Sequence, residues 1–148
     1  MRGGFWIRAG FGLLLWLSVL ICPAWSEEGS RYRVIVHSQQ QINTLNQSTI
    51  QRLFLGKMKR WPEGLPVEVA INTIEPVSSE FCREILCRTP NQLSVYWRRA
   101  LYTGSAMLPV FYNSDEEVCA YVANHAGAIG FVSVACDPLS VRTVEVQP

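Results

Sequence analysis

The sequence of 148 residues lacks the features that mark several large classes of protein. It has no excess of basic residues, since the formal net charge is +1 and the densest basic run is only Lys57-Met58-Lys59-Arg60. This near neutrality argues against a nucleic-acid-binding domain, which normally carries a basic patch. No apolar run reaches the roughly 20 residues of a membrane-spanning helix, which argues against a polytopic membrane protein. With 49% hydrophobic residues the chain is too apolar for a disordered protein, and its length suits a single domain.

The apolar residues are concentrated near the N-terminus, in the uncharged run from Phe11 to Ile21. Arg2 and Arg8 precede this run, and small residues three apart follow it in Pro23-Ala24-Trp25-Ser26. A charged start, an apolar middle and a small-residue cut site are the layout of a secretory signal peptide. We therefore expect residues 1–26 to be a cleaved leader and the rest of the chain to be exported.

Two alternatives to a cleaved leader remain open. The apolar segment can be retained as an N-terminal anchor, which would be the protein's one link to a membrane. Cys22 suggests lipidation, although bulky Ile21 stands where a lipidation site has a small residue. Without the leader, eleven basic residues face twelve acidic ones, so the exported domain is close to neutral.

Four cysteines remain after the leader, namely Cys82, Cys87, Cys119 and Cys136. An even number of cysteines in an exported protein predicts disulfides, and four cysteines allow three pairings. Cys82 and Cys87 would lie about 140° apart around a single helix, so they cannot bridge each other there. Buried free thiols are the alternative. Because the chain has no C-x-x-C pair and no histidine at zinc-ligand spacing, neither a metal nor another cofactor is expected.

Hydrophobic periodicity predicts a single α/β domain over residues 27–148. Strands are predicted at 32–36, 67–71, 127–134 and 141–146. Helix starts are predicted at Asn46, at Ser78 or Ser79, at Thr89 and at Ser114, where capping residues precede apolar stripes. The predicted order is β-α-β-α-α-α-β-β, which favours a mixed sheet flanked by about four helices.

The segment from Thr73 to Ser79 is the strongest candidate for a binding site. It follows a predicted strand and opens a predicted helix, where unpaired backbone N–H groups and the helix dipole favour an anion. Ser78 and Ser79 would add hydroxyl donors, and capping of the helix by these serines is the alternative interpretation. No G-x-S-x-G motif is present, and His37 and His125 have no evident nucleophile partner in the sequence, so an enzyme is not expected.

Several short motifs, taken together, resemble those of one protein family. They are Leu53-Phe54-Leu55-Gly56-Lys57, Trp61-Pro62-Glu63-Gly64, Tyr96-Trp97 leading to Tyr102-Thr103-Gly104, Ser114-Asp115-Glu116-Glu117-Val118 and Gly127-Ala128-Ile129-Gly130-Phe131. Their order and spacing are similar to those of the phosphate ABC transporter substrate-binding family, specifically its small single-lobe periplasmic members. The resemblance implies a fold like that of type II periplasmic binding proteins, a periplasmic location and a solute-binding function related to phosphate transport.

The resemblance also implies a ligand and a place for it. Full members of the family have two lobes that close over phosphate, which they bind partly through an Arg followed by Ser-Gly-Thr at a helix start. The corresponding segment here runs from Asn72 to Glu80. The resemblance therefore assigns Asn72, Thr73, Ser78 and Ser79 to phosphate or another small oxyanion.

A second hypothesis keeps the same fold without the ligand. The segment contains neither the Arg nor the Gly of the family motif, and the exported part of the chain has the length of one lobe. Under this hypothesis the protein is a periplasmic accessory module whose partner is another protein. A titration with phosphate and sulfate distinguishes the two hypotheses.

Overall fold

The protein is described by a computed structural model over residues 29–104, 107–137 and 139–148. The predicted leader, with Cys22, lies outside the described residues, so its cleavage stays a prediction. Within the described part of the chain, no helix is both long and apolar enough to cross a membrane.

Six strands and four helices are found in the described residues, and they form the predicted α/β fold with a mixed sheet. The strands are β1 (Tyr32–His37), β2 (Thr44–Asn46), β3 (Glu68–Asn72), β4 (Val110–Tyr112), β5 (Ala128–Ser133) and β6 (Val141–Gln147). The helices are α1 (Gln47–Phe54), α2 (Val77–Glu84), α3 (Pro90–Tyr102) and α4 (Asp115–Asn124). The sequence does not predict β2 and β4, because three residues are too few to show an alternating pattern.

The strands form one sheet in the order β2-β6-β1-β5-β3-β4. Strand β1 runs antiparallel to both of its neighbours, β5 and β6. Strand β3 runs parallel to β5 and β4, and β2 runs parallel to β6. The two short strands that the sequence did not predict, β2 and β4, are therefore the edges of the sheet.

The sheet separates two apolar clusters, because successive side chains of a strand point to opposite faces. Val34 and Val36 of β1 belong to the larger cluster, which also contains the inner faces of α1, α2 and α3. At its centre Phe81 stacks on Phe131 with ring centroids 3.9 Å apart. Ile35 belongs to the smaller cluster, which α4 covers. The fold therefore has three layers, with three helices on one face of the sheet and one on the other.

The start of α3 lies at Thr89 as predicted, and it has a capping box. Thr89 Oγ1 accepts a hydrogen bond from Gln92 N at 3.2 Å, and Gln92 Oε1 accepts one from Thr89 N at 2.9 Å. The start of α4 is also as predicted, since Ser114 Oγ accepts a hydrogen bond from Glu117 N at 3.1 Å. These bonds satisfy backbone donors that a helix start otherwise leaves unpaired.

The predicted capping of α2 by serine is wrong. Helix α2 begins at Val77 after Pro76, so Ser78 and Ser79 lie inside its first turn. Proline suits this place because its ring restricts φ and it has no N–H that needs a partner. Asn46 flanks α1 as predicted, although its side chain makes no capping hydrogen bond.

Candidate functional site

Strand β3 carries the first predicted ligand residue to the edge of the sheet, where the strand ends. Asn72 is the last residue of β3 and is fully buried. Its Oδ1 accepts a hydrogen bond from Ile74 N at 2.9 Å, which orients the side-chain amide. Its Nδ2 donates to Asp115 Oδ1 at 2.6 Å. Both ends of the amide are therefore used within the chain.

Asp115, the first residue of α4, connects three elements at this edge. In addition to the bond from Asn72, its Oδ1 accepts one from the backbone N–H of Ser133, the last residue of β5, at 3.1 Å. The positive end of the α4 dipole also favours a carboxylate at this position. The sequence indicates Asp115 only as part of a helix start. The contact with Asn72 spans 43 positions and leaves no local pattern.

Thr73 and Ser79 also have partners within the chain. The N–H and the hydroxyl of Thr73 both donate to the carbonyl oxygen of Tyr112 in β4, each at 2.9 Å. The Ser79 hydroxyl donates to the carboxylate of Glu75. Glu75 is exposed in the turn before α2, so the chain itself places a negative charge beside the helix start predicted to bind an anion.

Ser78 is buried inside the first turn of α2, and only 3% of its surface is exposed. It forms a hydrogen bond with the Cys82 thiol one turn later. Burial raises the pKa of this thiol to about 11, and the Ser78 bond acts in the opposite direction. Cys82 is therefore a protonated core thiol at neutral pH, which matches the buried free thiol that the sequence left open.

A second polar cluster lies near the start of β3, away from the predicted site. Tyr121 Oη donates to Glu68 Oε2 at 2.9 Å, and His125 Nε2 lies 3.8 Å from the same oxygen. The rings of Tyr121 and His125 stack with centroids 3.9 Å apart. Burial, together with the bond to Glu68, raises the pKa of Tyr121. Sequence reasoning missed this cluster, because Tyr121 and Glu68 lie 53 positions apart.

Tyr121 and Glu68 also line an open cavity of about 450 Å³ between α1, β3, α3 and α4. Lys59 and Trp97 border it as well. The indole N–H of Trp97 is buried without a hydrogen-bond partner among the described residues. Over 29–104, 107–137 and 139–148, no group of three or more His, Cys, Asp or Glu side chains is placed to hold a metal ion.

The cysteines occupy three different environments. Cys82 lies in the larger apolar cluster, whereas Cys87 is exposed beyond the end of α2. Cys119 of α4 and Cys136, in the turn after β5, lie together with their sulfur atoms 4.0 Å apart. The structure therefore brings together the sulfur atoms of one possible disulfide pair, Cys119 and Cys136.

No protein-family model and no curated protein matches the chain by sequence. Solved structures match it by fold. The ABC-type phosphate transport receptor from Vibrio cholerae has a TM-score of 0.58 at 12% identity. The putative phosphate ABC transporter substrate-binding protein with bound phosphate from Clostridium perfringens has a TM-score of 0.57 at 20% identity. PstS from Borrelia burgdorferi has a TM-score of 0.58 at 11% identity.

These structures confirm the fold expected from the resemblance. Each match covers 78–79% of this chain. The chain spans less than half of each matched protein, namely 45%, 44% and 47% of their lengths. The α/β fold is therefore similar to that of one part of each of these proteins. At these identities the likeness concerns the fold alone.

Proposed function

We propose that the protein is an exported periplasmic module that keeps one lobe of the phosphate-receptor fold and uses it to bind another protein. One observation carries this proposal. The chain's own carboxylates already accept the hydrogen bonds of the side chains predicted to bind an anion, since Asn72 donates to Asp115 and Ser79 donates to Glu75. Export is supported by the leader-like layout of residues 1–26.

Electrostatics supports the loss of phosphate binding. A phosphate seated on Ser79 would displace Glu75 as the acceptor and remain close to its charge. Two unit charges 4 Å apart repel by about 1 kcal/mol in water and about 4 kcal/mol near a protein surface.

The surface that fits a protein partner lies at the β4 edge of the sheet. A groove of about 160 Å³ runs between α3 and β4, and Leu101, Leu108 and Phe111 line it. These side chains keep 55%, 42% and 45% of their surfaces exposed. An edge strand offers unpaired backbone groups to another strand. The occupant we propose is an extended segment of another protein that pairs with β4 and places an apolar side chain in the groove.

Oxyanion binding is the second candidate function, and it is favoured by the fold neighbours named as phosphate receptors, one of them with bound phosphate. In this case Asn72, Thr73, Ser78 and Ser79 would form the site. Their present partners, Glu75 and Asp115 included, would have to release them when the ligand binds.

A calorimetric titration with phosphate and sulfate decides between the two functions. We expect no saturable heat from the purified chain up to millimolar anion. Glu75→Gln removes the competing charge, and Glu63→Gln is the matched control. Weak anion binding by Glu75→Gln but not by Glu63→Gln would support the view that the Glu75 charge prevents phosphate binding. Saturable binding by the unaltered chain, abolished by Ser79→Ala, would refute the interaction module in favour of the oxyanion site.

Site-specific photo-crosslinking in cells tests the proposed partner surface. A photoreactive side chain in place of Leu108 should give a discrete adduct, and the same group in place of exposed Glu145 of β6 should not. Adding Phe111→Asp should abolish the adduct by placing a charge in the apolar groove. Equal labelling from positions 108 and 145, or no adduct from either, would contradict the proposal.

A further inference from the structure

Two cysteines that are distant in sequence meet on the face of the sheet that α4 covers. Cys119 lies in α4 and Cys136 lies three residues after the end of β5. Their sulfur atoms are 4.0 Å apart, although 17 positions separate the residues. Both side chains are partly buried against the smaller apolar cluster.

The segments that carry this pair are held in place independently of it. Val118 and Val122 are fully buried on either side of Cys119 and pack α4 against the sheet. Cys136 N donates to Ser133 O at 3.1 Å, and Ala135 N donates to Ser133 Oγ at 3.2 Å, which fixes the turn after β5. The proximity of the two thiols is therefore a property of the packed fold.

The other two cysteines face different partners. Cys82 is fully buried and forms a hydrogen bond with Ser78 inside α2. Cys87 is exposed, and its sulfur lies 4.0 Å from Gln51 Nε2.

We propose that Cys119 and Cys136 form a disulfide in the exported protein, while Cys82 and Cys87 remain thiols. The proposal rests on the export included in the proposed function, because disulfides persist in oxidising compartments. To form the bond, the sulfur atoms must approach each other from 4.0 Å to roughly 2.0 Å.

The oxidant is the disulfide of a thiol–disulfide oxidoreductase or of glutathione. The thiolate of one cysteine attacks a sulfur of that disulfide, forms a mixed disulfide and releases the first thiol of the oxidant. The second cysteine then attacks its partner's sulfur in the mixed disulfide and releases the second thiol. The pair loses two electrons and two protons, and the oxidant's disulfide gains them and becomes two thiols.

The bond would stabilise the edge of the sheet at the predicted ligand site. Cys119 lies one helical turn after Asp115, and Cys136 lies three residues after Ser133, whose N–H donates to Asp115. A covalent link between these segments holds α4 to the end of β5, so it maintains the geometry in which Asp115 accepts the hydrogen bond of Asn72.

Peptide mapping without reduction tests the pairing. The full chain is taken from the periplasmic fraction, alkylated in denaturant with N-ethylmaleimide and digested. We expect one linked pair of peptides containing Cys119 and Cys136, with alkylated Cys82 and Cys87. Alkylated Cys119 and Cys136, or a link to either of the other two cysteines, would overturn the pairing.

A second arm separates the disulfide from export. The purified, reduced chain is equilibrated with glutathione disulfide, and the same linked pair is expected. If it forms there but the chain is absent from the periplasmic fraction, export fails and the pairing stands. If glutathione disulfide oxidises other cysteines and leaves Cys119 and Cys136 reduced, the pairing fails whatever the compartment.

Thermal melting gives a second readout. Closing a loop of this length should raise the Tm by roughly 10 °C. A reductant should therefore lower the Tm of the oxidised chain by about this amount and leave the double variant Cys119→Ser, Cys136→Ser unchanged. Cys87→Ser is the matched control and should respond to the reductant as the unaltered chain does. If the reductant does not change the Tm of the oxidised chain, the disulfide does not stabilise the fold and this part of the proposal is wrong.

Discussion

Replacing Asp115 with alanine tests the hydrogen-bonded junction between β3, α4 and β5. The change removes the acceptor of two bonds, from Asn72 Nδ2 at 2.6 Å and from Ser133 N at 3.1 Å. A hydrogen bond to a charged group contributes about 1.5–3 kcal/mol, and an unpaired buried donor costs about 1–3 kcal/mol. Because Asn72 is fully buried while Ser133 is partly accessible to water, the Asn72 bond dominates the loss. We expect Asp115→Ala to lower the free energy of unfolding by about 3 kcal/mol.

Urea denaturation followed by circular dichroism measures this change. Glu116→Ala is the matched control, because Glu116 lies in the same helical turn, carries the same charge and is exposed. Asp115→Asn keeps an oxygen acceptor and removes the charge, so its loss should be smaller, at about 1 kcal/mol. If Asp115→Ala and Glu116→Ala differ by less than about 0.5 kcal/mol, the ordinary range of surface substitutions, the reasoning is refuted.

Three further substitutions test packing, ionisation and capping. Gly127→Ala should destabilise the chain to urea by about 3 kcal/mol, because the added Cβ would lie 1.9 Å from Pro66 O; Gly29→Ala, with open space around it, is the control and should be neutral. Burial raises the pKa of Tyr32 from 10.0 to about 12, so the unfolded chain loses this proton first and the free energy of unfolding falls between these pH values. In Tyr32→Phe the free energy of unfolding should fall less steeply with pH over this range. Identical pH dependence in the variant and the unaltered chain would contradict this prediction. Thr89→Ala should lower the free energy of unfolding by about 1 kcal/mol, which thermal melting would detect as a lower Tm. An unchanged Tm would show that the Thr89 cap does not stabilise the chain.

The motifs that support the family resemblance prove to be packing contacts between distant parts of the chain. Trp61 Nε1 donates to the carbonyl oxygen of Gly127 at 2.8 Å, which joins the turn at 61–64 to the start of β5. Gly56 has a φ of +66°, and a Cβ at this position would lie 2.7 Å from Trp97 Cη2. Motif residues of this kind specify the fold. A protein that shares them can bind a ligand other than phosphate, or no ligand.

The sequence predicted which elements carry the candidate ligand residues, but not all of the hydrogen-bond partners of those residues. Asn72 and Thr73 do lie at the end of a strand, and Ser78 and Ser79 do lie in the first turn of a helix. Glu75 is a local partner, four positions before Ser79. Asp115 of α4 and Tyr112 of β4 are remote in the chain, and no local pattern shows that they lie close to Asn72 and Thr73. Whether the segment binds an oxyanion stays a prediction.

Local sequence patterns are enough to predict the α/β class, the four helices and the long inner strands. These follow from local signals, namely apolar periodicity and capping residues such as Thr89 and Ser114. Three features emerge only when remote segments pack: the edge strands, the hydrogen bond from Asn72 to Asp115, and the contact between Cys119 and Cys136. Helix starts and strand faces are properties of neighbouring residues, so a local pattern shows them. Hydrogen-bond and thiol partners, in contrast, are set by how the sheet brings remote segments together.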